Sequence, residues 1–261
     1  MKKTGFSVAG LIIGIAVVIG IGIATWLVID GNLKATNFDN YDFSSVIAPD
    51  EHNGNIGDHV KKDKNGSYTG EPVYIVEYAD FQCEGCASMN PRVNQVIDEL
   101  DGKLVIIYRN HLLSYHQNAT AAASAAEAAG LQGYWEEYGK ALFTNQSEWK
   151  YKGGSERTTL FEKYFLEVTN GQGDMEKFRK DIGSSEVSKK ISFDMGIGKR
   201  IEIPGTPAFF IDGKWIDWSD VDSTGTDSIE INGETITWEG GQGGSKFVEL
   251  IKKIVEAKLK K

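Results

Sequence analysis

The sequence of 261 residues contains few cysteines, histidines and prolines: two, four and five, respectively. Two cysteines are too few for a fold that is held together by several disulfide bonds. His111 and His116 are near each other but outside any ligand spacing, so we predict structural or surface roles for them and no metal site. The chain also lacks a basic surplus, since 28 Lys and Arg stand against 37 Asp and Glu. With no sustained basic stripe, the composition argues against a nucleic-acid partner.

The N-terminus carries a long uncharged run from Phe6 to Ile29. At 1.5 Å per residue it spans roughly 36 Å, which is enough for a bilayer core of about 30 Å. No A-x-A cleavage site follows, so we predict an uncleaved transmembrane anchor over residues 1–29. Because Lys2 and Lys3 precede this run, we expect a single-pass protein of the cell membrane, with a cytoplasmic N-terminus and an extracytoplasmic remainder.

The two cysteines stand three residues apart, in Cys83-Glu84-Gly85-Cys86. Before them, the β-branched run from Val73 to Val76 predicts a buried strand, and after them the sequence favours a helix. At the start of a helix, unpaired N–H groups and a partial positive charge lower the pKa of the first cysteine, whose thiolate is the reactive form. This pattern favours redox chemistry, and it leaves half of a zinc site or a closed structural disulfide as alternatives.

A second apolar run, from Lys103 to Tyr108, predicts a strand parallel to the first, because the chain between them is helical in character. Further helices are predicted at residues 120–129, 133–143, 158–168, 174–182 and 185–195, with Asp174 and Ser185 as N-caps. Pro207 then opens another strand, and an X-Pro bond in such a turn can be cis. A cis bond there would leave the backbone groups of Thr206 free to pair with an extended peptide.

Three segments, EYADFQCEGC, YRNHLLSYHQNATAAASAAEAA and GTPAFFIDGK, follow one another in the order and spacing of a known family. They resemble the DsbA-like thiol–disulfide oxidoreductases of the membrane-anchored bacterial type. The resemblance covers Glu71 to Gly213 and resumes from Ser245 to Ala257. It implies an α/β protein with a thioredoxin fold over residues 71–261, interrupted by an α-helical insertion at about 111–200. Residues 30–70, rich in Asn, Asp, Gly and Lys, would then be a tether behind the transmembrane helix.

The resemblance also assigns roles to single residues. It makes Cys83 the exposed nucleophile, Cys86 the buried resolving cysteine and Pro207 the cis-proline opposite them. Glu77 matches the family's buried acid, which could shuttle protons for Cys86; the alternative is a strand-end glutamate that reaches solvent. The implied function is the formation of disulfides in secreted or surface proteins, without a cofactor and with a membrane reoxidase of the DsbB or VKOR kind as partner. A disulfide reductase or isomerase, or a non-redox anchored binding module, remains as an alternative.

Two features depart from the family pattern. The dipeptide Glu84-Gly85 lacks the histidine of strongly oxidising relatives, and we expect the Glu84 carboxylate to raise the pKa of Cys83 and make the enzyme less oxidising. An added hairpin is predicted at about 228–238, around Asn232-Gly233, where it would extend the sheet or shape substrate choice. The loop from Asp220 to Asp227 begins like a calcium-binding loop, but its twelfth position is Ile231, so an Asx-rich turn is favoured.

Overall fold

In the computed structural model, five strands form the central sheet. They are β1 (His59–Lys61), β2 (Val73–Ala79), β3 (Leu104–Asn110), β4 (Ala208–Ile211) and β5 (Lys214–Ile216). The strand order is β1-β3-β2-β4-β5; β2 and β3 are parallel, and the other neighbouring pairs are antiparallel. Helix α1 (Glu84–Leu100) joins β2 to β3, which confirms the predicted parallel pair.

The structure describes residues 58–61, 72–100, 102–211, 214–216, 226–239 and 243–260. The predicted anchor, most of the predicted tether and residues 220–225 of the calcium-like loop lie outside these ranges. Within them, every helix is too short or too polar to cross a bilayer.

Between β3 and β4 the chain forms six helices, where the helical insertion was predicted. They are α2 (Ala119–Gly130), α3 (Trp135–Thr144), α4 (Gln146–Trp149), α5 (Gly154–Val168), α6 (Met175–Ile182) and α7 (Ser185–Arg200). Asp174 is an N-cap as predicted, since its side chain accepts from the Lys177 amide. Ser185 as N-cap is wrong, because the cap is Ser184, whose hydroxyl accepts from the Val187 amide.

Aromatic side chains from four of these helices form one buried cluster, and Phe81, Cys83 and Cys86 belong to the same cluster. The helical insertion therefore packs directly against the cysteine pair. The aromatic members from the helices are Trp135, Tyr138, Phe143, Trp149, Phe161, Tyr164, Phe165 and Phe178.

The predicted hairpin is present as β6 (Thr226–Ile231) and β7 (Glu234–Glu239), and helix α8 (Gly243–Leu259) follows it. It forms a separate two-stranded sheet, so the alternative that it extends the central sheet is wrong. Ile229 and Ile236 share a hydrophobic cluster with Phe247 and Ile251 of α8. The side chain of Asn232 in the turn donates to carbonyls at the end of α8. The hairpin thus covers the core beside the terminal helix.

Strand β1 lies inside residues 30–70, so the prediction of a tether is wrong for His59 to Lys61. The segment Asp58-His59-Val60-Lys61 reads as polar, but its charged side chains have charged partners inside the protein. Asp58 pairs with Arg109 at 3.0 Å, His59 with Glu127 at 2.6 Å and Lys61 with Glu77 at 3.3 Å. Such partners, distant in sequence, are invisible to a hydrophobic pattern.

Candidate active site

Cys83 and Cys86 lie at the start of α1, as predicted. Cys83 immediately precedes the helix, and its carbonyl accepts a hydrogen bond from the Ala87 amide at 3.0 Å. Both cysteines are free thiols. Cys86 is fully buried, and Cys83 is only 8% exposed, so the nucleophile expected to be exposed is nearly enclosed. Only a small part of Cys83 is open to attack from outside.

The two thiols differ in acidity. The pKa of Cys83 is lowered to about 6, first by its hydrogen bond with the Cys86 thiol and then by Thr206 and the backbone N–H groups of Cys86 and Gly85. Burial opposes this shift but is outweighed. The pKa of Cys86 is raised well above its usual range by burial and by the neighbouring Cys83 sulfur. Near neutral pH, the pair therefore holds one thiolate, on Cys83, and one proton, on Cys86.

Pro207 faces the cysteines from the far end of the insertion, and the Thr206–Pro207 peptide bond is cis. A Cβ atom added to Gly85 would lie 3.3 Å from Cδ of Pro207 and 3.6 Å from Sγ of Cys83. Glycine at this position therefore lets the proline loop approach the sulfur closely. The carbonyl oxygen of Thr206 lies 3.3 Å from Sγ of Cys83 and accepts a hydrogen bond from that thiol when Cys83 is protonated. In this form the carbonyl already has a donor, whereas the sequence predicts it to be free.

Glu84 has a charged partner that the sequence did not show. Its exposed carboxylate forms an ion pair with the ammonium group of Lys150, from the loop after α4. The hydrogen bond and charge of Lys150 lower the pKa of Glu84. Glu84 is not among the main causes of the shift at Cys83, whose pKa is lowered. Lys150 thus balances the carboxylate that we expected to disfavour the thiolate.

Glu77 is completely buried in β2, so the alternative of a strand-end glutamate in solvent is wrong. Its Oε2 atom lies 3.3 Å from Nζ of Lys61, and Oε1 is buried without a partner in the described part of the chain. The phenol of Tyr108 lies near both Glu77 and Cys86, since both raise its pKa in addition to burial. Glu77 and Cys86 thus have Tyr108 as a common neighbour.

Asp80, which the sequence showed only as part of an acidic turn, organises the backbone before Cys83. Its buried carboxylate accepts from the amides of Gln82 at 2.8 Å and Leu113 at 2.9 Å, and it contacts Nδ1 of His116 at 2.8 Å. Burial raises the pKa of Asp80. In the sequence, the position of Asp80 as a single acid between Ala79 and Phe81 was the feature that could have indicated this role. His116 thus has a structural role, and the described residues contain no group of three or more potential ligands arranged for a metal.

Comparisons with known proteins agree with this geometry. The thioredoxin family model matches residues 67–230. The probable disulfide bond formation protein D of Bacillus cereus is 24% identical over 226 residues, which are 82% of this chain and 91% of that protein. The Na(+)/H(+) antiporter NhaA 1 of Salinispora arenicola is 29% identical over 160 residues, which are 60% of this chain and 22% of the antiporter. The chain thus spans about a fifth of the length of the antiporters that it matches.

Among solved structures, alpha-DsbA1 of Wolbachia pipientis superposes with a TM-score of 0.52 and 22% identity. The superposition covers 77% of this chain and 92% of that one. Because the thioredoxin model spans more than half of the sequence, including both cysteines and Pro207, the chain belongs to the thioredoxin family and has the fold of its DsbA-like members.

Proposed function

We propose that this protein is a thiol–disulfide oxidoreductase that forms disulfide bonds in other proteins by exchange through Cys83 and Cys86. The observation that carries the proposal is the placement of Cys83 at the start of α1, in contact with the Thr206 carbonyl and with Cys86 fully buried behind it. This placement lowers the pKa of Cys83 to about 6 and raises that of Cys86. A stable Cys83 thiolate is a good leaving group, and it favours the reduced enzyme over the disulfide. The pair therefore accepts electrons readily.

In the oxidised enzyme, a substrate thiolate attacks Sγ of Cys83, and the bond between Cys83 and Cys86 breaks. Cys86 leaves as a thiolate and takes up a proton, because its buried site disfavours charge. A second substrate thiolate then attacks the substrate sulfur of the mixed disulfide, and Cys83 leaves as a thiolate. Two electrons pass from the substrate to the enzyme, and the completely buried Glu77 would exchange the proton of Cys86.

The reduction potential of the purified chain tests the direction of transfer. Equilibration with glutathione redox buffers should give a potential above the value of about −270 mV that is typical of thioredoxin. Cys83→Ser and Cys86→Ser should each abolish oxidation of a peptide with two thiols, because neither variant can form the disulfide that accepts the two electrons. A potential at or below that of thioredoxin, which would suit a reductase, would contradict the proposal.

The proposal includes an extracytoplasmic location, supported by the uncharged run from Phe6 to Ile29 behind Lys2 and Lys3. Secreted or surface proteins with cysteines would be the substrates. Each cycle leaves the enzyme reduced, so a membrane reoxidase of the DsbB or VKOR kind would restore the disulfide. Protease added to intact spheroplasts should digest the thioredoxin domain in place; full protection would place the domain on the other side of the membrane.

A further inference from the structure

The helical insertion holds the backbone that leads into Cys83. Gln146, at the start of α4, is buried, and its side-chain amide nitrogen donates to the carbonyls of Phe81 at 2.8 Å and Cys83 at 2.9 Å. The Cys83 carbonyl also accepts the Ala87 amide, which begins the hydrogen bonding of α1. One side chain of the insertion is thus bonded to both ends of the turn that presents the reactive sulfur.

Other hydrogen bonds within the insertion hold the segment that carries Gln146. The fully buried Trp149 donates its indole N–H to the Leu142 carbonyl at 2.9 Å, and the Glu148 carboxylate accepts from the Tyr164 hydroxyl at 2.9 Å. A functional group held by such supporting contacts can impose its geometry on a neighbouring turn.

A second amide bridge joins the same two parts of the chain. The side chain of Gln82 donates to the Lys150 carbonyl at 2.8 Å and accepts from the Asn118 amide at 2.6 Å. The Asn118 side chain in turn donates to the carbonyls of Trp149, Lys150 and Lys152. The loop after α4 and the turn before Cys83 therefore form one hydrogen-bonded unit.

We infer that Gln146 is a positioning residue: it holds the turn from Phe81 to Cys83 so that the helical insertion sets the redox potential of the cysteine pair. The inference rests on the proposed function and assigns control of its potential to a residue outside the thioredoxin elements. Without the two N–H groups of Gln146, the buried turn would relax, because a buried carbonyl without a donor is costly. The Cys83 sulfur would then move away from the N–H groups of Gly85 and Cys86 that stabilise its thiolate.

The test compares the full-length wild type with Gln146→Met, which keeps the length of the side chain but removes its donors. The matched control is Gln132→Met in the same insertion, whose side chain also makes two backbone hydrogen bonds, both to Asp174 and remote from the cysteines. Each protein is equilibrated with glutathione at pH 7, and its Cys83 thiolate is titrated by ultraviolet absorbance.

For Gln146→Met, a rise of one unit in the pKa of Cys83 from about 6 would lower the equilibrium constant for reduction by about fivefold at pH 7. Gln132→Met should keep the wild-type potential. A folded Gln146→Met with unchanged potential and titration would overturn the inference, since a merely structural role would alter only stability. If Gln146→Met does not fold, Gln146→Asn is measured, and an unchanged potential there overturns it equally. Failure of wild-type exchange would instead overturn the proposed function.

Discussion

At the residue scale, the two cysteines share one turn of helix but have opposite tendencies to ionise. Cys83 forms hydrogen bonds with the Cys86 thiol and with N–H groups at the helix start, and its pKa is lowered to about 6. Cys86, three residues later, is enclosed by apolar side chains, and its pKa is raised. If Cys83 stood one helical turn further along the chain, this contrast would be lost, because the positive potential of the helix N-terminus fades within the first turn.

The lowered pKa of Cys83 makes the stability of the reduced protein depend on pH. Between about pH 6 and the unfolded pKa of about 8.5, the unfolded state binds more protons at Cys83 than the native state, so stability rises with pH and is lost as pH falls through about 6. We expect the melting temperature of the reduced form to rise relative to that of the oxidised form as the pH increases from about 5 to 8. Thermal unfolding of both forms would measure this, and a constant difference would contradict it. In Cys83→Ala, which has no oxidised form, the rise in melting temperature with pH that the reduced wild type owes to Cys83 should be absent.

The ion pair between Lys61 and Glu77 gives a prediction for stability. Both side chains are buried, so Lys61→Met leaves the Glu77 carboxylate without its cation and should lower the free energy of unfolding by about 3–5 kcal/mol. Adding Glu77→Gln should recover much of the loss, because the remaining pair is uncharged. Urea unfolding of the two single variants and the double variant at pH 7 measures the coupling. If Lys61→Met unfolds like the wild type, the pair has no net role.

The pair between Lys150 and Glu84 is predicted to act on the potential instead. Lys150→Met removes the partner of the Glu84 carboxylate, whose charge then disfavours the Cys83 thiolate and makes the enzyme more reducing. Because Glu84 is exposed, the equilibrium constant with glutathione should change only about twofold, and high salt should erase the change. Lys152→Met, which affects an exposed pair with Glu156, is the control. Equal effects of both variants would rule out a local role for Lys150.

The residues predicted from the sequence and those that were missed differ in one physical respect. Cys83, Cys86 and Pro207 stand in short motifs whose local geometry determines their chemistry. Lys61 and Lys150 reach the site from β1 and from the loop after α4, 16 positions before Glu77 and 66 after Glu84 in the sequence. No local pattern encodes such a meeting, because it depends on how the insertion and the edge strand pack.

At the element scale, secondary structure was predictable where the apolar residues have a clear period. It was not predictable where single hydrogen bonds determine the start of a helix or a one-turn helix. The parallel pair β2 and β3, the longer insertion helices and the hairpin were predictable from apolar patterns, helix-forming residues and turn residues. The four-residue helix α4 was not, since one turn of helix has no period to detect. The N-cap of α7 is Ser184 and not the predicted Ser185, because the sequence alone does not distinguish between two adjacent serines.

The hairpin turn offers a prediction at this scale. Asn232 has a positive φ of 52° and donates to the carbonyls of Ala257 at 3.0 Å and Lys260 at 2.9 Å. Asn232→Ala should lower the free energy of unfolding by about 1–2 kcal/mol, because alanine disfavours this conformation and cannot donate. Asn232→Gly should lose less, since glycine accepts the positive φ. Both variants should keep the wild-type potential, and a shifted potential would show that the hairpin influences the cysteines after all.

At the scale of the whole molecule, buried charges connect three parts of the chain that are distant in sequence. Lys190 of α7 lies 2.7 Å from Asp194 and 3.4 Å from Asp58, which precedes β1. Asp194 accepts from the backbone and side-chain amides of Asn110, at the end of β3. The Asn110 side chain also donates to Glu127 of α2 at 2.7 Å. The N-terminal strand, the sheet and the insertion therefore share one polar network beside the aromatic cluster.

Within this network, Lys190 is a completely buried cation, and the surrounding carboxylates raise its pKa to about 12 against the effect of burial. Lys190→Met would leave Asp194 and Glu127 buried with less positive charge nearby, so the free energy of unfolding should fall by about 3–5 kcal/mol. Lys163→Met is the matched control, because Lys163 forms an exposed pair with Glu167 at 3.7 Å, and its removal should cost less than about 1 kcal/mol. Urea unfolding of the full-length chain at pH 7 compares the two. Equal, small losses would mean that the network does not join the three parts, and that apolar packing alone keeps β1 on the sheet.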